Sequence, residues 1–84
     1  MSMSKQEIID KLTKVFSEEF EVDPAKIEGD LPLMETLDLD SLDLIDVVVL
    51  IEKNFSIILK QEDFVGIVTF NDFYNLIEKK INGE

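Results

Sequence analysis

Between Ser41 and Phe55 the chain runs without a glycine or a proline, and its apolar residues fall on two opposite arcs of any helix it could form. Val47 to Val49 favour a strand by propensity. The segment is too long for an ordinary strand, and its spacing suits a helix. With successive residues about 100° apart, Leu44, Val47, Val48, Ile51 and Phe55 share one side, the stripe a helix turns toward a core. Leu42, Ile45 and Val49 lie nearly opposite, beside Ser41, Asp46 and Glu52. One core cannot cover both strips. Leaving each of the three in water forgoes roughly 1.5–3 kcal/mol of burial. Either the helix is sandwiched on two sides, or the second strip is a docking face.

At 84 residues the chain supports one domain, 1–84, with residues 1–3 and 82–84 expected to fray. A hydrophobic content of 45% excludes disorder despite the charge. Without cysteine, apolar packing must hold the fold unaided. Without histidine, the usual base of a serine nucleophile and the commonest metal ligand are missing, so hydrolase and metalloenzyme readings fail.

Eight basic residues against nineteen acidic ones give a formal net charge of −11, which disfavours nucleic acid and anionic membranes as partners. The charge is also segregated. From Ile27 to Glu52 every charged residue is an acid, whereas the lysines cluster toward both ends. Solubility does not require such segregation; steering of basic partners does. No run is long enough to span a membrane and the start lacks a signal-peptide pattern, so a cytoplasmic location is expected, and the chain is expected to be a monomer.

Ser4 and Glu7 are spaced as a capping box, opening a first helix to about Ser17–Phe20 on Ile8, Leu12, Val15 and Phe16. Glu21 to Leu39 reads as a long connection. Asp23-Pro24 starts a single turn there, and Leu31, Leu33, Met34 and Leu37 turn inward. Gln61 to Ile67 suits a short helix weakened by Gly66. Thr69 and Asp72 cap a last helix, with Phe70, Phe73, Ile77 and Ile81 facing the core. At the start of the central helix, Asp40 can be the N-cap with Asp43 three residues on, which frees the Ser41 hydroxyl. Alternatively, Ser41 is itself the cap.

Asp40-Ser41-Leu42 at the head of an acidic amphipathic helix resembles the Asp-Ser-Leu motif of acyl carrier proteins. Leu37 upstream, Phe55 closing the helix and Thr69 opening the next extend the resemblance over nearly the whole chain. It implies an all-α, small four-helix bundle: three main helices, a short third helix, and a long loop between helices 1 and 2. It also implies a 4'-phosphopantetheine arm, taken from coenzyme A, on Ser41. Acyl intermediates would ride on that arm as thioesters in fatty-acid, polyketide or related lipid biosynthesis. Asp40, Leu42, Asp43, Ile45, Asp46, Val49 and Glu52 would form the recognition face. The partners implied are a phosphopantetheinyl transferase and acyl-transfer, condensing and modifying enzymes with basic docking patches. The chain itself would not be an enzyme. An aminoacyl or peptidyl carrier and an unmodified acidic interaction module are the alternatives.

One position departs from the family: a glycine commonly follows the leucine, and here Asp38 stands in its place. A side chain there narrows the accessible backbone and adds charge near the serine. A calcium loop over the same acids fails, because glycine and glutamate are missing at the positions such a loop requires. No metal is expected.

Overall fold

The computed structural model describes residues 3–40 and 42–83, and among them four α-helices follow one another. They are α1 (Lys5–Phe20), α2 (Leu33–Thr36), α3 (Leu44–Phe55) and α4 (Phe70–Ile81), with 3-10 turns at Pro24–Lys26 and Gln61–Phe64. The expected all-α bundle is the observed one.

Both terminal helices begin at the capping boxes their sequences encode. The Glu7 N–H donates to Ser4 Oγ at 3.2 Å, and the Ser4 N–H donates back to Glu7 Oε1 at 3.0 Å. On α4 the Asp72 N–H donates to Thr69 Oγ1 at 3.3 Å. The Val68 and Thr69 N–H groups donate to the Asp72 carboxylate, which holds its pKa below the ordinary carboxylate value.

The long connection is tied to the start of α4. The N–H groups of a helix's first turn have no intrahelical acceptor, and here the loop supplies one for two of them. Phe70 N–H donates to the Leu31 carbonyl at 3.2 Å, and Asn71 N–H to the Gly29 carbonyl at 3.0 Å. Leu33 N–H reaches back to the Val68 carbonyl at 2.8 Å, beside an antiparallel bridge between Pro32 and Thr69. Gly29 leaves room for this approach: a Cβ there would fall on the Asn71 carboxamide and displace it.

The core joins Ile8, Leu12 and Phe16 of α1 to Val47, Ile51 and Phe55 of α3 and to Phe70, Phe73, Tyr74 and Ile77 of α4. Phe16 is the hub: its ring lies 5.9 Å from Phe73, nearly parallel, and 6.2 Å from Phe70, tilted. Leu33 and Leu37 close the core from the loop, while Leu31 and Met34 are half-buried.

Four features differ from the sequence reading. The loop contains a helix, α2, because the bonds to Val68 and Phe70 give a short segment an anchorage its propensity does not signal. Helix α3 begins at Leu44, three residues later than the apolar pattern, because a turn held by Asp40 and Asp43 occupies its approach. The short third helix is a 3-10 turn that stops at Phe64, ahead of Gly66 with φ 84°. Tyr74, outside the expected stripe, is buried, while Val15, Leu44, Val48 and Ile81 are only half-buried. Against α1, helix α4 turns a wider face inward than the aromatic spacing indicated.

Asp38 has φ 56°, in the left-handed region. It terminates α2: the Asp38 N–H donates to the Glu35 carbonyl at 3.2 Å and the Leu39 N–H to the Met34 carbonyl at 2.8 Å. These two bonds are the Schellman pattern, whose left-handed residue is most often glycine. Aspartate tolerates the conformation better than other side chains do, and β-branched residues tolerate it worst. Asp38→Val is therefore expected to lower stability by about 1–2 kcal/mol, read as a lower urea midpoint at unchanged slope. An unchanged midpoint would show that the turn is not held in this conformation.

Candidate functional site

The approach to α3 is a reciprocal carboxylate turn. Asp40 Oδ1 accepts from the Leu42 N–H at 2.9 Å and the Asp43 N–H at 3.2 Å, and Asp43 Oδ2 accepts from the Asp40 N–H at 3.0 Å. The sequence offers Asp40 or Ser41 as the cap of a helix starting near Ser41; in the structure α3 has Asp43 as its N-cap, without a side-chain cap bond, and Asp40 holds the turn ahead of it. Ser41 lies outside the described residues. Its neighbours Asp40 and Leu42 are both exposed.

Leu42, Ile45 and Val49 are 77%, 68% and 58% exposed, so the second strip of the central helix is open to solvent and the helix is not sandwiched. Asp46 is exposed beside them and Asp43 is half-buried. Glu52 is placed differently from the rest of the expected rim. It is half-buried, and its Oε2 accepts from the Leu59 N–H at 3.0 Å, so it pins the chain after α3. Ile58, Val65 and Val68, which the sequence reading did not single out, are also exposed.

A groove of about 500 Å³ runs between this strip and the 3-10 turn at Gln61–Phe64. Leu44, Val48, Leu59 and Phe64 form its floor; Leu42, Ile45, Val49 and Gln61 form its rim. The spacing of Leu44 and Val48 predicts core positions, whereas in the structure both are half-buried and line the groove. Leu59 and Phe64 reach the groove through a chain reversal that no local spacing encodes. A second cavity of about 470 Å³, lined in part by Met3, Lys11, Phe55 and Lys80, lies beyond the other end of α3.

Among the described residues the single ion pair is Lys80–Asp63, at 3.1 Å. With the Lys60 N–H, the Lys80 ammonium holds the Asp63 carboxyl below its ordinary pKa. None of the acids from Glu28 to Glu52 enters an ion pair there, so the negative field around the exposed strip is not neutralised from within. Also among the described residues, no helix is long and apolar enough to cross a membrane.

The family described as "Phosphopantetheine attachment site" matches residues 10–77. The chain is 35% identical to the acyl carrier protein of Thermotoga maritima over 78 residues, covering 93% of this chain and 96% of that one. It is 30% identical to acyl carrier protein 2 of Ralstonia nicotianae over 76 residues, covering 90% and 94%. Against the meromycolate extension acyl carrier protein of Mycolicibacterium aurum the identity is 29% over 79 residues, covering 94% and 81%.

Proposed function

Since this chain belongs to the acyl carrier protein family, we propose that Ser41 is its attachment residue and that the strip Leu42, Ile45 and Val49 is the surface its enzymes bind. The protein carries acyl groups in fatty-acid or related biosynthesis on a covalently attached 4'-phosphopantetheine. That arm supplies the thiol on which the acyl group is held as a thioester.

The observation that carries the assignment is the carboxylate turn. Asp40 satisfies the Leu42 and Asp43 N–H groups, so neither of these needs the hydroxyl of residue 41 as its acceptor. The same turn suits a phosphodiester held only by its covalent bond. The two N–H groups that follow the serine, on Leu42 and Asp43, are engaged, and Asp38 and Asp40 repel a phosphate. An arm that finds no tight seat at its root is free to swing between partners.

Asp40, Asp43 and Asp46 ring the strip and steer basic patches of a phosphopantetheinyl transferase and of acyl-transfer, condensing and modifying enzymes. Glu52 belongs to the scaffold, through Leu59. The chain is a single domain and acts as a carrier, not as an enzyme. An acyl cargo fits better than an aminoacyl one, because among the described residues the groove's lining offers Gln61 as its one polar side chain.

Incubating the purified chain with coenzyme A and a promiscuous phosphopantetheinyl transferase should add the mass of one arm to the peptide containing Ser41. A gain on any other peptide would refute the assignment. Asp46→Lys tests the docking surface without disturbing the turn, since Asp46 is exposed and the Asp40–Asp43 bonds remain. Loading by the transferase should slow by about tenfold at low salt, and the deficit should shrink as salt rises. An equal rate at every ionic strength would remove the steering role.

A further inference from the structure

We propose that Phe64 limits the length of acyl chain this carrier can shield, by closing the floor of the groove beside α3. The inference rests on the reading that the groove takes the cargo.

Phe64 is half-buried, and its ring is stacked 5.7 Å from Phe73, which in turn is stacked 5.9 Å from Phe16. Phe73 and Phe16 are fully buried at the centre of the bundle. A column of three rings thus runs from the groove to the core, and its outermost member faces the groove. Phe73 and Phe16 have nowhere to retreat, because interiors are packed to near crystal density, so the Phe64 ring cannot be pushed inward. An alkyl chain entering the groove must lie along α3 and cannot pass inward between α3 and α4.

The groove's extent then sets how much chain is covered. From Leu42 to Val49 the run along the helix axis is roughly 10 Å. An extended alkyl chain built from single bonds of about 1.5 Å advances about 1.3 Å per carbon, so the groove holds about eight carbons. Cutting Phe64 back to alanine removes the floor down to Phe73 and opens space for a longer chain.

The holo protein is loaded with saturated acyl groups from four to fourteen carbons, and the unfolding equilibrium is measured for each. In the wild type every added methylene should favour the folded state by roughly twofold, about half the full-burial effect because the groove is open on one side. The gain should stop near eight carbons. In Phe64→Ala the gain should continue to longer chains, with Phe64→Leu in between; if the alanine variant does not fold, the leucine variant decides the matter on the same terms. A gain ending at the same length in the wild type and in the variants overturns the role of Phe64. No gain at any length in the wild type overturns the groove reading beneath it, and mass analysis showing the arm on Ser41 would leave the attachment site standing.

Discussion

Ser41→Ala is expected to abolish loading: under conditions that convert the wild-type chain fully, the variant should show no added mass. A phosphodiester to the protein needs a side-chain oxygen, and alanine has none. The turn should survive the change. Its bonds run from the Asp40 and Asp43 carboxylates to the backbone N–H groups of Asp40, Leu42 and Asp43, and none of them involves the side chain of residue 41. The far-UV spectrum and urea midpoint should therefore match the wild type, which separates loss of the acceptor from loss of the fold. Equal loading of the variant would place the arm on another hydroxyl, with Thr36 nearest in sequence, and the assignment would be lost.

Phe73→Ala should have the largest effect on the fold. Phe73 is fully buried and touches the rings of both Phe16 and Phe64, so truncating it removes the middle of the aromatic column. Truncations of this kind cost about 3–5 kcal/mol. A domain this small has a core near the lower end of the usual stability range of about 5–15 kcal/mol. The melting temperature should fall by more than about 12 °C, or the cooperative transition should vanish. Val49→Ala is the control. Val49 is exposed, so its truncation should move stability by no more than about 0.5 kcal/mol while weakening enzyme binding. If Phe73→Ala melted with the wild type, the column would not be the core's centre.

The turn also guides the choice of variants. Reversing Asp43 and Asp46 together looks from the sequence like a clean test of surface charge. In the structure Asp43 accepts the Asp40 N–H, so changing it confounds docking with the helix start. Asp46 carries no such duty among the described residues, and the charge test belongs there.

Much of this protein is written in short-range patterns. The capping boxes of α1 and α4, the two opposed strips of α3 and the segregation of acids from lysines each depend on residues a few positions apart. Periodicity and composition register such features directly. The resemblance carried by Asp40-Ser41-Leu42 is equally local, and it is legible in the sequence.

Other features depend on residues that meet only when the chain folds back. Glu52 reads as one more acid on the rim until the Leu59 N–H arrives to claim it. Helix α2 is too short to register by propensity, and its anchors lie more than thirty residues further along the chain, at Val68 and Phe70. Leu44 and Val48 sit on a core stripe yet also floor a groove, because the opposite wall comes from Leu59 and Phe64. Spacing along one element can say which residues share a face, because helix geometry is local. What covers that face, and how deep a cleft it leaves, follows from long-range packing that no single stretch encodes.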